Sequence, residues 1–196
     1  MSKPLEKLED AELIDRFKNG DEASFSVLVE RHSSRAYQIA YGVLGSREDA
    51  QEVAQDVFVR IHKALHKFRG DAEFTTWMYR IAMNLARNKY RWNKCRGSQK
   101  SITIHAPLDG SDDGSRVMQL PSDRQQPDQE ISTDEFEDRI SEEIEKLPPL
   151  YREALVLRNV EDMSYEQIAN VLGCKLGTIK SRIARAREEL RRRLGL

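Results

Sequence analysis

The chain has 196 residues and a formal net charge of -1 although 33% of its residues are charged, so no global field draws it to nucleic acid or to an acidic surface. Only Cys95 and Cys174 are present, far apart and in no Cys-x-x-Cys or Cys-His spacing, which argues against a disulfide framework or a zinc site and fits a reducing compartment. No apolar run suits a signal peptide or a membrane span, so a cytoplasmic protein with no direct membrane insertion is expected.

Charge is sorted by segment. Arg80 to Lys100 contains no acidic residue and Lys175 to Arg193 is almost as basic, whereas Asp128 to Glu145 is crowded with Asp and Glu. Such segregation, with helical periodicity throughout, predicts small helical domains rather than strands, which would need period-two alternation.

Asp10 to Asn19 reads as a short helix with Leu13, Ile14 and Phe17 on one face and Gly20 ending it. Asp21 caps a longer helix whose buried stripe is Phe25, Leu28, Val29, Ala36, Ile39, Ala40 and Val43, closed by Leu44-Gly45. Ser46 opens a third, running to about Phe68. It turns Ala50, Val53, Ala54, Val57, Phe58, Ile61, Ala64 and Leu65 inward and leaves Asp49, Glu52, Gln55, Asp56 and Arg60 toward solvent or a partner. By pattern alone that outer face is what every surface helix has. His62 and His66 lie at i and i+4, as metal ligands do, but no metalloprotease Glu stands between them and no third ligand is near; they read as partly exposed helix residues.

Phe68-Arg69-Gly70-Asp71 breaks the pattern. After Glu73 a fourth helix turns Phe74, Trp77, Met78, Ile81, Ala82 and Leu85 inward. On its other face Arg80, Asn84, Arg87 and Arg91 recur at helical spacing, with Asn88, Lys89, Tyr90 and Trp92 nearby: cations for phosphates, amides for base edges and rings for stacking. An anionic membrane or another protein is the alternative partner of a basic amphipathic helix.

From about Gly97 to Gln129 periodicity stops and Gly, Ser, Asp, Pro and Gln accumulate, which predicts a flexible linker and a domain boundary. Within it Asp109 to Gly114 imitates the front of a calcium loop, but position twelve is Leu120 rather than Glu. Ile131, Phe136, Ile140 and Ile144 reopen a helical face, Pro148-Pro149 stops it, and Leu150 to Val160 forms another helix with Ala154, Leu155 and Leu157.

Ser164 to Arg187 then reads as a helix-turn-helix. Ser164 and Gln167 make a capping box, Ile168, Ala169 and Leu172 a short apolar face, and Gly173 a left-handed stop. Ile179 and Ile183 anchor the second helix, while Lys180, Ser181, Ala184 and Arg185 fall on the opposite side, suited to a major groove. A plain helical hairpin with a solvated basic face is the bland alternative.

The order of these parts resembles an extracytoplasmic-function sigma factor, the small promoter-recognition subunit of bacterial RNA polymerase. The resemblance is carried by Asp49 to Phe58, Phe68 to Asn84, Leu147 to Ala154, Ser164 to Ala169 and Gly177 to Arg187, and covers most of the chain. It implies an all-α fold of two small helical domains: residues 1–96 for core polymerase and the -10 element, a linker over 97–129, and a helix-turn-helix domain over 130–196 for the -35 element. It implies that Asp49, Glu52, Gln55, Asp56 and Phe58 face the clamp coiled coil of the largest polymerase subunit, the flap being a further contact. Arg69, Phe74, Trp77, Arg80, Asn84, Arg87 and Arg91 would take the -10 element as an unstacked strand; Thr178, Lys180, Ser181, Arg182 and Arg185 would read the -35 duplex. Core RNA polymerase and promoter DNA are the partners, with an anti-sigma factor a further one. No catalytic residue, cofactor or metal is implied. Two departures stand out: Lys175 occupies a position where many relatives have Pro, and Gln55-Asp56 replaces the commoner Gln-Glu. The competing reading is a response-regulator-type helix-turn-helix regulator, which leaves the first half without the strands of a receiver domain.

One further expectation concerns charge. The acidic run from Asp128 to Glu145 and the basic surface from Arg80 to Arg96 flank the linker, so the free protein is expected to close over its promoter-facing side; a solvated or polymerase-bound acidic helix is the alternative.

Overall fold

The computed structural model describes residues 4–99, 139–140 and 142–195. Among the described residues the fold is carried by α1 (Asp10–Lys18), α2 (Glu22–Leu44), α3 (Arg47–Ala64), α4 (Phe74–Gln99), α5 (Pro149–Glu161), α6 (Tyr165–Leu172) and α7 (Leu176–Leu194), with 3-10 turns at Leu5–Lys7 and Leu65–Lys67. No strand occurs among the described residues. The linker beyond Gln99, the calcium-like loop, Ile131 and Phe136 lie outside them.

Local chemistry sets the helix ends. Gly45, at φ 70°, ends α2 with its N–H donating to the Tyr41 carbonyl, a left-handed position that residues with a Cβ seldom take. Ser46 follows as N-cap of α3, its hydroxyl accepting from the Asp49 N–H. Asp21 precedes α2 as expected, but its carboxylate accepts from the Ser24 hydroxyl rather than from a backbone amide. The third helix ends at Ala64, before the predicted Phe68, because Leu65–Lys67 tightens into a 3-10 turn. Pro149 stands at the first position of α5, where its missing N–H would have had no helical partner.

Helices α1 to α4 close on a core that includes Leu13, Phe17, Leu28, Ile39, Val57, Ile61, Leu65, Met78 and Met83, each fully buried. Burying side chains of that size stabilises by about 1.5–3 kcal/mol apiece. Phe25 and Val29, expected in the stripe of α2, are only half-buried and line a groove against α3 instead. The fourth helix is buried on more than its predicted face. Tyr79, Met83 and Ala86 are covered along with Phe74 and Met78, since α4 is clasped by α2 and α3 on one side and by α6 on another.

The second half does not stand apart. Helix α5 lies on α2 and α6 on α4, so Ala154, Leu157, Met163, Ile168, Val171, Ile179 and Ile183 join the same core, while Leu147, Leu155 and Ala186 form a small satellite. At the seam a Cβ on Gly42 would sit 2.8 Å from both methyls of Val156. The two halves are in contact among the described residues, and most of the acidic run lies outside those residues. Of the described part of that run, Glu143 pairs with Lys146 at 2.7 Å and with Arg193 at 3.6 Å inside its own half, while the Glu145 carboxylate lies against Gly45 at the end of α2; Glu153, outside the run, pairs across the seam with Arg87.

Candidate nucleic-acid and polymerase interfaces

Helix α3 presents Glu52, Gln55, Asp56 and Arg60 to solvent, as its pattern requires, because Val53, Val57 and Ile61 anchor the opposite face. The five predicted polymerase residues separate into three situations. Gln55 and Asp56 are exposed. Asp49 and Glu52 lie beside α4: the Lys89 ammonium is 3.3 Å from Asp49 and 2.6 Å from Glu52, and the Asn93 amide donates to Asp49 at 2.7 Å. The hydrogen bond to Glu52 leads in raising the Lys89 pKa. Phe58 is 8% exposed and belongs to the core, reaching only the floor of the groove between α2 and α3.

That groove, about 750 Å³, is lined by Phe25, Val29, Tyr37, Ala54, Gln55, Phe58, Val59 and His62. Sequence reasoning missed it. The signal was Val59, an exposed apolar residue on the polar face of α3. His62 bonds to Glu22 at 3.1 Å and packs its ring on Phe17 and Phe25, and His66 also packs on Phe17.

The loop between α3 and α4 begins with Phe68, whose ring lies 4.9 Å from that of Trp77. With Lys67, Arg69, Gly70, Asp71, Ala72 and Arg80 these rings border a recess of about 400 Å³. Arg69 is exposed and Trp77 half-exposed, and both border the recess. Phe74 does not. It is 5% exposed, packed on His32 at 5.4 Å and on Phe68 at 6.3 Å, and it holds the loop from below.

Along α4, Asn84 and Arg91 are exposed. Arg80 donates its Nε to the Asn170 carbonyl at 2.9 Å. Arg87 gives two hydrogen bonds to Glu153, at 2.7 and 2.6 Å, and the Glu153 carboxylate is the first cause of its raised pKa. Trp92 is 50% exposed, with the Arg96 guanidinium 4.2 Å from its ring centroid.

The helix-turn-helix is assembled as expected. The Ser164 hydroxyl accepts from the Gln167 N–H at 3.2 Å, the Gln167 side chain accepts from the Ser164 N–H at 2.8 Å, and Gly173 turns at φ 66°. Lys175 is the N-cap of α7 and its side chain, a donor only, makes no cap bond. Ile179 and Ile183 are buried, leaving Lys180, Ser181, Ala184 and Arg185 exposed; Thr178 and Arg182 are half-buried, Arg182 beside Cys174. Arg185 is steadied by the Tyr151 hydroxyl at 3.4 Å. One helix face thus leaves Lys180 and Arg185 open to solvent beside Ser181, whose hydroxyl donates to the Thr178 carbonyl at 2.9 Å.

Comparison with known proteins decides the family. Residues 28–94 match the model of Sigma-70 region 2, and residues 137–190 match Sigma-70, region 4. The RNA polymerase sigma-H factor of Pseudomonas aeruginosa is 35% identical over 95% of this chain and 94% of its own length, and the ECF RNA polymerase sigma-E factor of Escherichia coli K12 is 33% identical over 94% of both. The chain belongs to the extracytoplasmic-function sigma factors. SigW of Bacillus subtilis is a further relative, 32% identical over 92% of this chain and 94% of its own. Among solved structures, CnrH in complex with the cytosolic domain of CnrY aligns with TM-score 0.67 at 26% identity, over 95% of this sigma factor and 97% of that chain. It is an all-α transcription initiation factor that directs RNA polymerase to promoters, and the response-regulator reading is not favoured.

Proposed function

We propose that this sigma factor engages core polymerase through the exposed face of α3, the -10 element through the α3–α4 loop and α4, and the -35 element through α7. The observation that carries the reading is the pairing of two basic helix faces with the two family-matched segments: Arg80, Asn84 and Arg91 on α4 within region 2, and Lys180, Ser181 and Arg185 on α7 within region 4. Gln55 and Asp56 beside the apolar groove suit the clamp coiled coil, an amphipathic partner that needs both apolar contact and polar register. The recess bordered by Trp77, Arg69 and Arg80 suits an unstacked base, which needs stacking surface and donors to its edge.

On this reading residues 1–96 and 130–196 are separable domains joined by the 97–129 linker, the flap is a further contact of the second domain, and the protein is cytoplasmic and has no catalytic activity of its own. An anti-sigma factor is a natural regulator, since the sigma factor RpoE of Bartonella quintana, which shares this fold, was solved in complex with the anti-sigma factor NepR. The reading is tested by co-purification with core polymerase: wild-type protein forms a holoenzyme and Asp56→Arg forms it poorly. Equal assembly by both would remove α3 from the interface.

A further inference from the structure

We propose that the cation-lined cavity where α4, α5 and the turn between α6 and α7 meet is a binding site for a small multivalent oxyanion, of the class of a phosphate chain carried free or on a nucleotide. Such a ligand would lie between helices, a different place from the exposed faces assigned above to polymerase and promoter DNA.

The cavity has a volume of about 580 Å³, within the range of small-molecule sites. Five cations line it, Arg87, Arg91 and Lys94 from α4, Arg152 from α5 and Arg182 from α7, against the single carboxylate of Glu153. That carboxylate is already committed, since both of its oxygens accept from Arg87, at 2.7 and 2.6 Å. Arg91 and Lys94 are exposed at the rim and pair with no carboxylate among the described residues. Arg182 has the Cys174 sulfur beside it at 3.9 Å. Four positive charges thus share one concave space with no counter-charge of their own.

Arg152 makes the case specific. It is 3% exposed, and its guanidinium donates Nη1 to the Val43 carbonyl at 2.7 Å and Nη2 to the Leu147 carbonyl at 3.2 Å, with the Tyr90 ring 5.2 Å away. Its Nε is buried without a hydrogen-bond partner. Carbonyl dipoles and a ring face supply no negative charge, and an arginine, unlike a lysine or histidine, does not escape burial by losing its proton. A buried ion is costly unless a counter-charge replaces its water, so the inner wall of the cavity carries a fixed positive charge that an anion would neutralise. A chain of phosphates presents several oxygens to the guanidinium forks and the ammonium of the rim at once. A duplex backbone meets exposed cations such as Arg91 and Lys94, but its phosphates do not reach a wall as covered as Arg152, which favours a small ligand over nucleic acid.

The test uses the full chain, magnesium-free, at about 150 mM salt, where the Debye length of about 8 Å suppresses loose adherence to basic surfaces. Sodium tripolyphosphate and adenosine triphosphate are titrated by calorimetry. In a Cys95→Ser background, the rate at which iodoacetamide alkylates Cys174, which lines the cavity, reports where they bind. The expected result is a single site per chain, alkylation of Cys174 slowed about tenfold near saturation, and a melting temperature that climbs with ligand concentration. Arg152→Gln keeps an amide donor but loses the charge, and should weaken binding about tenfold. The rim pair Arg91→Gln/Lys94→Gln leaves the buried contacts intact, should weaken binding comparably, and decides the matter if Arg152→Gln does not fold. Lys180→Gln, on the exposed face of α7 outside the cavity, should bind as wild type does. Tighter binding of adenosine triphosphate than of tripolyphosphate would assign the site to a nucleotide, and equal or weaker binding to the phosphate chain alone. Absence of binding would overturn the site, as would binding that leaves Cys174 unprotected or weakens equally in Lys180→Gln. Protection of Cys174 by a random-sequence DNA duplex as strong as that by tripolyphosphate would also overturn it, giving the cations to the DNA backbone.

Discussion

Lys89 on α4 stands between two carboxylates of α3, 2.6 Å from Glu52 and 3.3 Å from Asp49. The contact ties the two helices on which the polymerase and -10 functions are proposed to lie, and it divides the acids of α3 into those with an internal partner and those facing outward. Asp56→Arg is expected to weaken core binding by about tenfold, about 1.4 kcal/mol, with unchanged melting temperature. Lys89→Ala should do the reverse, lowering stability by about 0.5–1 kcal/mol with little effect on core affinity. Titration of labelled protein with core polymerase, beside thermal melts, checks both. Equal loss of core affinity in the two variants would show that the clip itself is part of the interface.

A second prediction concerns α7. Arg185→Ala should cost about 1–3 kcal/mol of binding to a cognate -35 duplex and relax the preference at one base pair. A uniform loss across sequences, with the salt slope reduced by about one, would make Arg185 a phosphate contact.

Acid stability gives a third. Asp10 accepts from His32 and Arg31; burial pushes its carboxyl upward, but the hydrogen bonds and charges of those two residues outweigh it and hold the pKa below the ordinary 3.8. A depressed carboxylate contributes stability that is fully present above the unfolded pKa and is lost as pH falls through the folded one. Asp10→Asn should therefore destabilise by about 1–3 kcal/mol at neutral pH, with the difference from wild type shrinking below about pH 4. Melting curves from pH 7 to pH 2 read it; a constant difference would place the effect in packing rather than charge.

The helix-turn-helix supplies the fourth. Ser164→Ala removes the acceptor for the Gln167 N–H and should cost about 1 kcal/mol. Gly173→Ala, at φ 66° with open space around it, should cost about as much through backbone conformation alone. Chemical denaturation measures both, and a neutral Gly173→Ala would mean that the turn relaxes.

Much of this architecture was legible because its signals are local. Ser164 with Gln167, Gly45 before Ser46 and the apolar spacing of α3 each act within a turn or two of helix, so the sequence states them directly. What escaped depends on contacts across the chain. Phe25 and Val29 have the period of core residues but border an open groove, and Tyr79 and Met83 are buried on a face of α4 whose polar neighbours suggested solvent. Glu153 follows an arginine in a stretch with no charge pattern of its own, and its partner lies 66 positions away. Phe74, by contrast, has the spacing of an inward residue and is given a -10 role by the family resemblance alone; its packing on His32 and Phe68 agrees with the spacing.

The central claim, that this chain selects promoters through α4 and α7 once bound to polymerase by α3, meets its most direct test in transcription. Core RNA polymerase would be mixed with the protein and host genomic DNA, and the 5′ ends of the run-off transcripts sequenced. The expected result is a set of discrete start sites sharing one motif near -10 and another near -35, absent with core alone and lost with Asp56→Arg. Start sites indistinguishable from those of core alone would contradict the account.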